Sequence, residues 1–234
     1  MARMGEGVHG VVCDVFEERC YRFYGDWRAK GEIRWNPENK NAAMQLRREI
    51  DDPKGRWVDG TPMNTPYAWG LRLLFPEAKF IHLLRRPEHV AASLTKFENV
   101  GAVSQDARQG IETWMDHVYY AIMTQEAFGS ETVQLVEFEK LVEDPEPAIK
   151  RICDFLGEPY SADCLIPYGK KINSSEVDDK RAEIVENIKR LPSFAKADYL
   201  HGRAIAPETG ASARMEAQQI LQNFFLTQCA RNHN

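Results

Sequence analysis

No apolar run in this chain approaches the roughly 20 residues that a helix needs to cross a bilayer, and its N-terminus has no signal-peptide hydrophobic region. A membrane partner is therefore not expected. Cysteine is sparse: Cys13, Cys20, Cys153, Cys164 and Cys229 stand at no metal-ligand spacing. An odd number of scattered cysteines without a secretory leader favours reduced thiols in a cytoplasm, and no metal is expected. Positive charge is not in excess either. Lys and Arg total 30 against 35 Asp and Glu, for a net charge of −5, so the surface as a whole does not attract nucleic acid. An anionic ligand would need a local basic pocket, which Arg85, Arg86, Lys170 and Lys171 could supply. Repeats and low-complexity tracts are missing. So is a Walker-type G-x-x-x-x-G-K-[ST], which argues against a nucleotide or sugar kinase.

What the chain does have is the material for one sizeable domain: 234 residues, 43% hydrophobic and 28% charged. Its most informative stretch is Phe80-Ile-His-Leu-Leu-Arg-Arg-Pro-Glu-His-Val-Ala-Ala-Ser-Leu94. The apolar run Phe80 to Leu84 predicts a central parallel strand covered on both faces. Pro87 then sits at the first helical position, where a missing N–H costs nothing. Arg85 ends the strand, and Ser93 follows eight residues later, about two turns into the helix, where it can face the same crevice. A cation, a helix N-terminus and a hydroxyl at a strand's carboxyl end suit a phosphate. The competing reading is a solvated arginine and a capping serine.

The surrounding pattern predicts helices over Val11–Ala29 and Lys40–Ile50, a short strand over Arg56–Asp59, and a helix over Thr65–Leu74 with Pro66 in its first turn. After the Phe80–Leu94 unit, Ile111, Trp114, Met115, Val118, Ile122 and Phe128 trace one face of a long helix over Gln105–Phe128, ended by Gly129. A strand is expected over Thr132–Phe138. Next comes a helix capped by Asp144, opened by Pro145, buried along Ile149, Ile152, Cys153 and Leu156, and stopped by Gly157. Alternating strands and helices predict an α/β fold with a parallel sheet. Residues 1–12 are Gly-rich and expected to be poorly ordered. Beyond Gly157 the expectation is a loop over Pro159–Ser175, a charged helix over Glu176–Lys189, an irregular stretch over Leu191–Ala211 and a final helix over Ala213–Cys229. These pack on the core, so that residues 1–234 form one domain.

Three segments in order resemble the sulfotransferase family. Arg85-Arg-Pro-Glu-His-Val-Ala-Ala-Ser93 is similar to its 3′-phosphate motif, R-D-P-x-D-V-x-x-S. Upstream, Trp57-Val-Asp-Gly-Thr-Pro62 and Leu73-Leu-Phe-Pro-Glu-Ala-Lys-Phe80 resemble W-x-x-K-T-P and L-F-P-x-A-x-F. Downstream, Val136-Glu-Phe-Glu-Lys-Leu-Val-Glu-Asp-Pro145 and Ile152-Cys-Asp-Phe-Leu-Gly157 resemble Y-E-D-L-x-x-D-P and F-L-G. The resemblance spans Trp57 to Gly157. It implies a three-layer, P-loop NTPase-like fold with a mostly parallel central sheet flanked by helices. It implies transfer of a sulfuryl group from 3′-phosphoadenosine 5′-phosphosulfate (PAPS) to a hydroxyl or amine of a small-molecule, carbohydrate or peptide acceptor. By the same resemblance, Arg85 and Ser93 would hold the cosubstrate's 3′-phosphate. Phe138, at the place of the motif's Tyr, would offer the adenine a stacking face without the hydroxyl.

The chain departs from the family in several places. The Gly-rich loop of type P-R-S-G-T-T that cradles the 5′-phosphosulfate does not precede Trp57; Met4-Gly-Glu-Gly-Val-His-Gly10 lacks its hydroxyls and a strand before it, and Gly210-Ala-Ser-Ala-Arg214 is a weak match. Gly60 stands where the family often has Lys. Arg86 and His89 replace acidic residues and make the crevice more basic. Either the chain is part of a longer enzyme, or it is a member that holds the adenosine 3′-phosphate end without transfer, a non-catalytic interaction protein on this scaffold.

Other candidates have quieter readings. His82, inside the strand, reads as a buried histidine satisfied by a neighbour; His117 reads as a surface pair with Asp116. Trp114 reads as core first and cofactor wall second. Glu17 and Glu18 are the only early acids with an apolar surround, but no motif marks a general base. Gly169-Lys170-Lys171-Ile-Asn173-Ser-Ser175 has the composition of a loop that closes over a phosphate, and a solvated loop is the competing reading.

Overall fold

The computed structural model describes residues 58–60, 62–96, 104–169 and 179–231. The expected helices over Val11–Ala29 and Lys40–Ile50, the Met4–Gly10 stretch, and Lys170, Lys171, Asn173 and Ser175 lie outside them. The chain divides into two compact units. One is Met63–Phe224, and the other gathers Met1–Pro62 with Phe225–Asn234. The fold described below is that of the first.

A 3-10 segment, Pro62–Tyr67, leads into helix α1, Ala68–Leu74. Strand β1, Phe80–Leu84, then turns through Arg85 and Arg86 into α2, Pro87–Leu94. The long helix α3, Ala107–Phe128, returns the chain to β2, Val133–Glu137. Two helices follow β2: α4, Phe138–Glu143, and α5, Pro145–Leu156. After a 3-10 segment, Ala162–Gly169, come α6, Asp179–Lys189, α7, Phe194–Ile205, and α8, Ala211–Arg231. The two strands pair in parallel, Phe80 with Val133 through Leu84 with Glu137. The described architecture is thus α/β, a parallel sheet flanked by helices.

Local chemistry accounts for the boundaries. Pro87 opens α2 as a first-turn proline should. Asp106 and Gln109 close a reciprocal capping box at the start of α3, which answers two amide donors that the first turn leaves free. Gly157, at φ 70°, ends α5 in the left-handed conformation that glycine adopts at no steric cost. Asp144 is also the residue before α5, but its carboxylate makes no capping bond. Its backbone (φ −139°, ψ 84°) belongs to the kink between α4 and α5, and its N–H is tied to Lys140 O of the preceding helix.

The core lies between α3 and the helices that lean on it. Leu84, Ala91, Ile111, Ile122, Ile188 and Leu221 are its most enclosed members. α2 and α3 approach so closely at Gly110 that a Cβ there would stand 3.0 Å from Ala91 Cα.

Three further sequence expectations change. Among the described residues β1 is covered on one face only. Its Phe80–His82–Leu84 face packs on α3, whereas Ile81 and Leu83 remain 41% and 53% exposed. Among the described residues β2 is enclosed on both sides, because Val136 packs with Leu141 and Ala148 of α4 and α5, and nothing equivalent covers β1. Of the strand expected over Arg56–Asp59, Val58 and Asp59 are described and are not strand; the sheet of the described residues has two strands. The Leu191–Ala211 stretch contains a 12-residue helix, α7. Its buried stripe is Ala197, Leu200 and Ala204, which recur at helical spacing among Lys196, Asp198 and Arg203.

Candidate anion-binding site

The site grows out of the turn between β1 and α2. Two side chains fix the turn's backbone: the Trp114 indole N–H donates to Arg85 O (3.0 Å), and Arg86 N–H donates to Glu139 Oε1 (3.1 Å). The Arg85 guanidinium lies 4.6 Å above the Phe138 ring, within cation–π range. Phe138 is the first residue of α4 rather than the end of the strand, and this places its ring under Arg85. The structure therefore brings together two of the three residues that sequence reasoning singled out.

Ser93 is the third. It lies in the last turn of α2, half-buried, on the face that also carries His89 one turn earlier. Its hydroxyl has no hydrogen bond with a described residue, whereas Thr95 nearby returns its own to Ala92 O (2.9 Å).

A fourth residue was missed. Arg181, in α6, is buried, and its charge acts on both Arg85 and His89. A signal was present: Arg181 lies at the spacing of Ile184, Val185 and Ile188 on the inward stripe of α6, so a cation stands where an apolar residue is expected.

The electrostatics follow from this placement. Burial, and then the charge of Arg181, push the Arg85 guanidinium below its ordinary value, and Glu139 pulls it back. An arginine stays charged through such a change, so the shift reports a cation held in poor solvent near a like charge. Burial also lowers His89, with the charges of Arg85 and Arg181 acting in the same sense and those of Glu88 and Glu139 against it. Among the described residues no carboxylate forms an ion pair with Arg85. An oxyanion with several acceptor oxygens fits such a place.

His82 and Trp114 take the places their quiet readings gave them, with one addition for Trp114, whereas His117 bonds to its own helix rather than to Asp116. His82 Nδ1 lies 2.7 Å from Gln125 Oε1, and Gln125 Nε2 donates to Ala204 O (3.1 Å), so this half-buried histidine is satisfied. His117 donates from Nδ1 to Thr113 O of its own helix (2.7 Å). Trp114 is core at 5% exposure, and its indole N–H also reaches the turn that carries Arg85. Cys153 is buried. Gly60 is exposed, and Glu17 and Glu18 lie outside the described residues. No described helix is long and apolar enough to cross a membrane.

A model of the sulfotransferase family matches residues 29–162, more than half of the chain, and the chain belongs to that family. It is 27% identical over 142 residues to protein-tyrosine sulfotransferase A of Caenorhabditis elegans, covering 58% of this chain and 37% of that protein. It is 25% identical over 129 residues to human sulfotransferase 2B1, covering 50% of this chain and 34% of that protein. The chain thus spans well under half the length of these relatives. Among solved structures, it is similar to the sulfotransferase domain from the curacin biosynthetic pathway, with a TM-score of 0.45 and 21% identity over 78% of this chain and 66% of that one.

Proposed function

We propose that this chain binds the 3′-phosphoadenosine end of PAPS and serves sulfuryl transfer from it to a hydroxyl or amine acceptor on a P-loop-like scaffold. The observation that carries the reading is Arg85, held over Phe138, beside buried Arg181 and without a carboxylate partner among the described residues. In this reading Arg85 takes the 3′-phosphate, Ser93 donates its hydroxyl to a second phosphate oxygen, and the Phe138 ring offers the adenine an apolar face. Arg181 adds positive potential. In the transfer itself the bond between sulfur and the 5′-phosphate oxygen breaks, a bond forms to the acceptor oxygen or nitrogen, and the acceptor's proton leaves to a base. Cations near the transferring group would stabilise the charge that develops. Gly60 supplies none at the place where the family often has lysine. The cytoplasm is the compartment that suits five cysteines at no metal-ligand or disulfide-framework spacing.

The test is thermal unfolding with adenosine 3′,5′-bisphosphate. At a hundred times its dissociation constant the ligand should stabilise the chain by ~2.7 kcal/mol, and Arg85→Ala should abolish the shift. An equal shift in the variant overturns the site. The second reading, a non-catalytic binding protein on the same scaffold, is favoured by Gly60. Transfer of labelled sulfate from PAPS to phenols, alcohols or amines by the pure chain would exclude it.

A further inference from the structure

Resting on that reading, we propose that Trp114 is a positioning residue for 3′-phosphate recognition, acting through the Arg85 carbonyl. The β1–α2 turn consists of two residues, Arg85 and Arg86, which belong to neither the strand nor the helix. Backbone groups in such a place need partners from elsewhere. The Arg86 carbonyl accepts from the His89 and Val90 N–H groups of α2, and two of the turn's other backbone groups are met by side chains. Trp114 of α3 takes the Arg85 carbonyl, and Glu139 of α4 takes the Arg86 N–H.

The two anchors differ in kind. Glu139 is half-exposed and carries a charge that water can rival. Trp114 is 5% exposed, and its ring is stacked on His201 of α7 (centroids 6.4 Å apart, planes 24° apart). It is also carried on the part of α3 that Gly110 allows to lie against α2. The indole is therefore a rigid peg set from the core into the turn. With the Arg85 carbonyl pinned, the direction in which its side chain leaves the backbone is set, and the guanidinium rests over Phe138. Packing explains the burial of this ring but does not require its N–H to point at the turn. The hydrogen bond is a feature beyond core filling, since a phenyl ring would supply much of the apolar surface.

The experiment compares dissociation constants for adenosine 3′,5′-bisphosphate and adenosine 5′-monophosphate by calorimetry in the wild-type chain, Trp114→Phe and Arg85→Ala. The ratio between the two ligands isolates the 3′-phosphate, and a merely structural tryptophan would leave that ratio alone. Trp114→Phe should weaken the bisphosphate by about tenfold, the scale of one lost buried hydrogen bond, with the monophosphate unchanged. A wild-type ratio in Trp114→Phe together with a collapsed ratio in Arg85→Ala overturns the role of Trp114 and leaves the site standing. A wild-type ratio in Arg85→Ala overturns both. Should Trp114→Phe not fold, the indole N–H resonance of Trp114 in the wild-type chain, identified by its response to His201→Leu, provides the second measurement. It should move on addition of the bisphosphate and not of the monophosphate, and an unmoved resonance overturns the proposal.

Discussion

Two arginines lean on the long helix α3 and are treated in opposite ways. Arg203 meets the Glu126 carboxylate in a two-pronged pair, with Nη2 3.0 Å from each carboxylate oxygen and Nε 3.2 Å from Oε1. Glu208 approaches the same guanidinium at 3.3 Å, and its backbone N–H also donates to Glu126 (3.1 Å). Arg85 has an aromatic ring beneath it, a second guanidinium close by, and no ion pair with a described residue. The first cation is answered on every side and joins α3, α7 and the approach to α8. The second is left with donors to offer. Burial alone does not distinguish a structural arginine from a binding one; the identity of the neighbours does.

The largest expected effect breaks the saturated end. Glu126 is buried, and Glu126→Ala removes the acceptor for both the guanidinium and the Glu208 N–H. Losing the buried member leaves the partly exposed Arg203 with only the exposed Glu208 and the Glu208 N–H without its acceptor, and the expected cost is about 2–3 kcal/mol, read as a lower midpoint in urea. A loss below about 1 kcal/mol would mean that Arg203 finds solvent easily, and the contrast with Arg85 would weaken.

The second test acts at the other end of α3. Gly110→Ala forces a methyl against the Ala91 backbone, with a Cα only 3.0 Å away. Overpacking of this kind costs about 1–3 kcal/mol, and here it must also displace α2, the helix that holds Ser93 and His89. The variant should therefore lose both stability and the bisphosphate-induced thermal shift. Glu126→Ala should lose stability and keep the shift in conditions where it is folded.

How much of this was legible follows from the same contrast. The β1–turn–α2 unit could be read because an apolar run, two arginines and a first-turn proline are all local signals, and Arg85 and Phe138 did come together. The coverage of β1 could not be read, since the run Phe80–Leu84 is apolar on both faces and only the tertiary fold leaves Ile81 and Leu83 half-open. Helix α7 was legible in principle, since Ala197, Leu200 and Ala204 recur at helical spacing. Arg181 was hidden by its class: in a charged helix an arginine passes for surface, and only its spacing with Ile184, Val185 and Ile188 points inward. The Trp114 anchor depends on where an N–H points, which no spacing encodes.

A third test uses pH. Burial lowers the folded pKa of His82, and its bond with Gln125 only partly offsets this. In the window below the ordinary histidine value of about 6.5, the unfolded chain takes up a proton that the folded chain refuses. Stability should therefore rise with pH through that window and be lost as pH falls below it. His82→Gln should flatten part of the slope between pH 7.5 and 5.5 in unfolding experiments. The remainder includes His89, whose pKa is lowered in the same direction. Because His82 faces α3 and α7 rather than the β1–α2 turn, the bisphosphate shift measured at pH 7.5 should be the same in His82→Gln.

The smallest expected effect is the most discriminating. Arg85→Ala should change the stability of the ligand-free chain by less than about 0.5 kcal/mol, the range of substitutions that break no structural contact. The variant loses a cation–π contact worth about 0.5–1 kcal/mol at a partly exposed site. It also relieves the repulsion from Arg181 and the desolvation that together depress the Arg85 pKa, so the two changes oppose each other. A loss of 2 kcal/mol or more in urea unfolding would make Arg85 a second Arg203, a residue retained for the fold. A near-zero change, set beside the disappearance of the bisphosphate shift, would separate binding from folding at this residue.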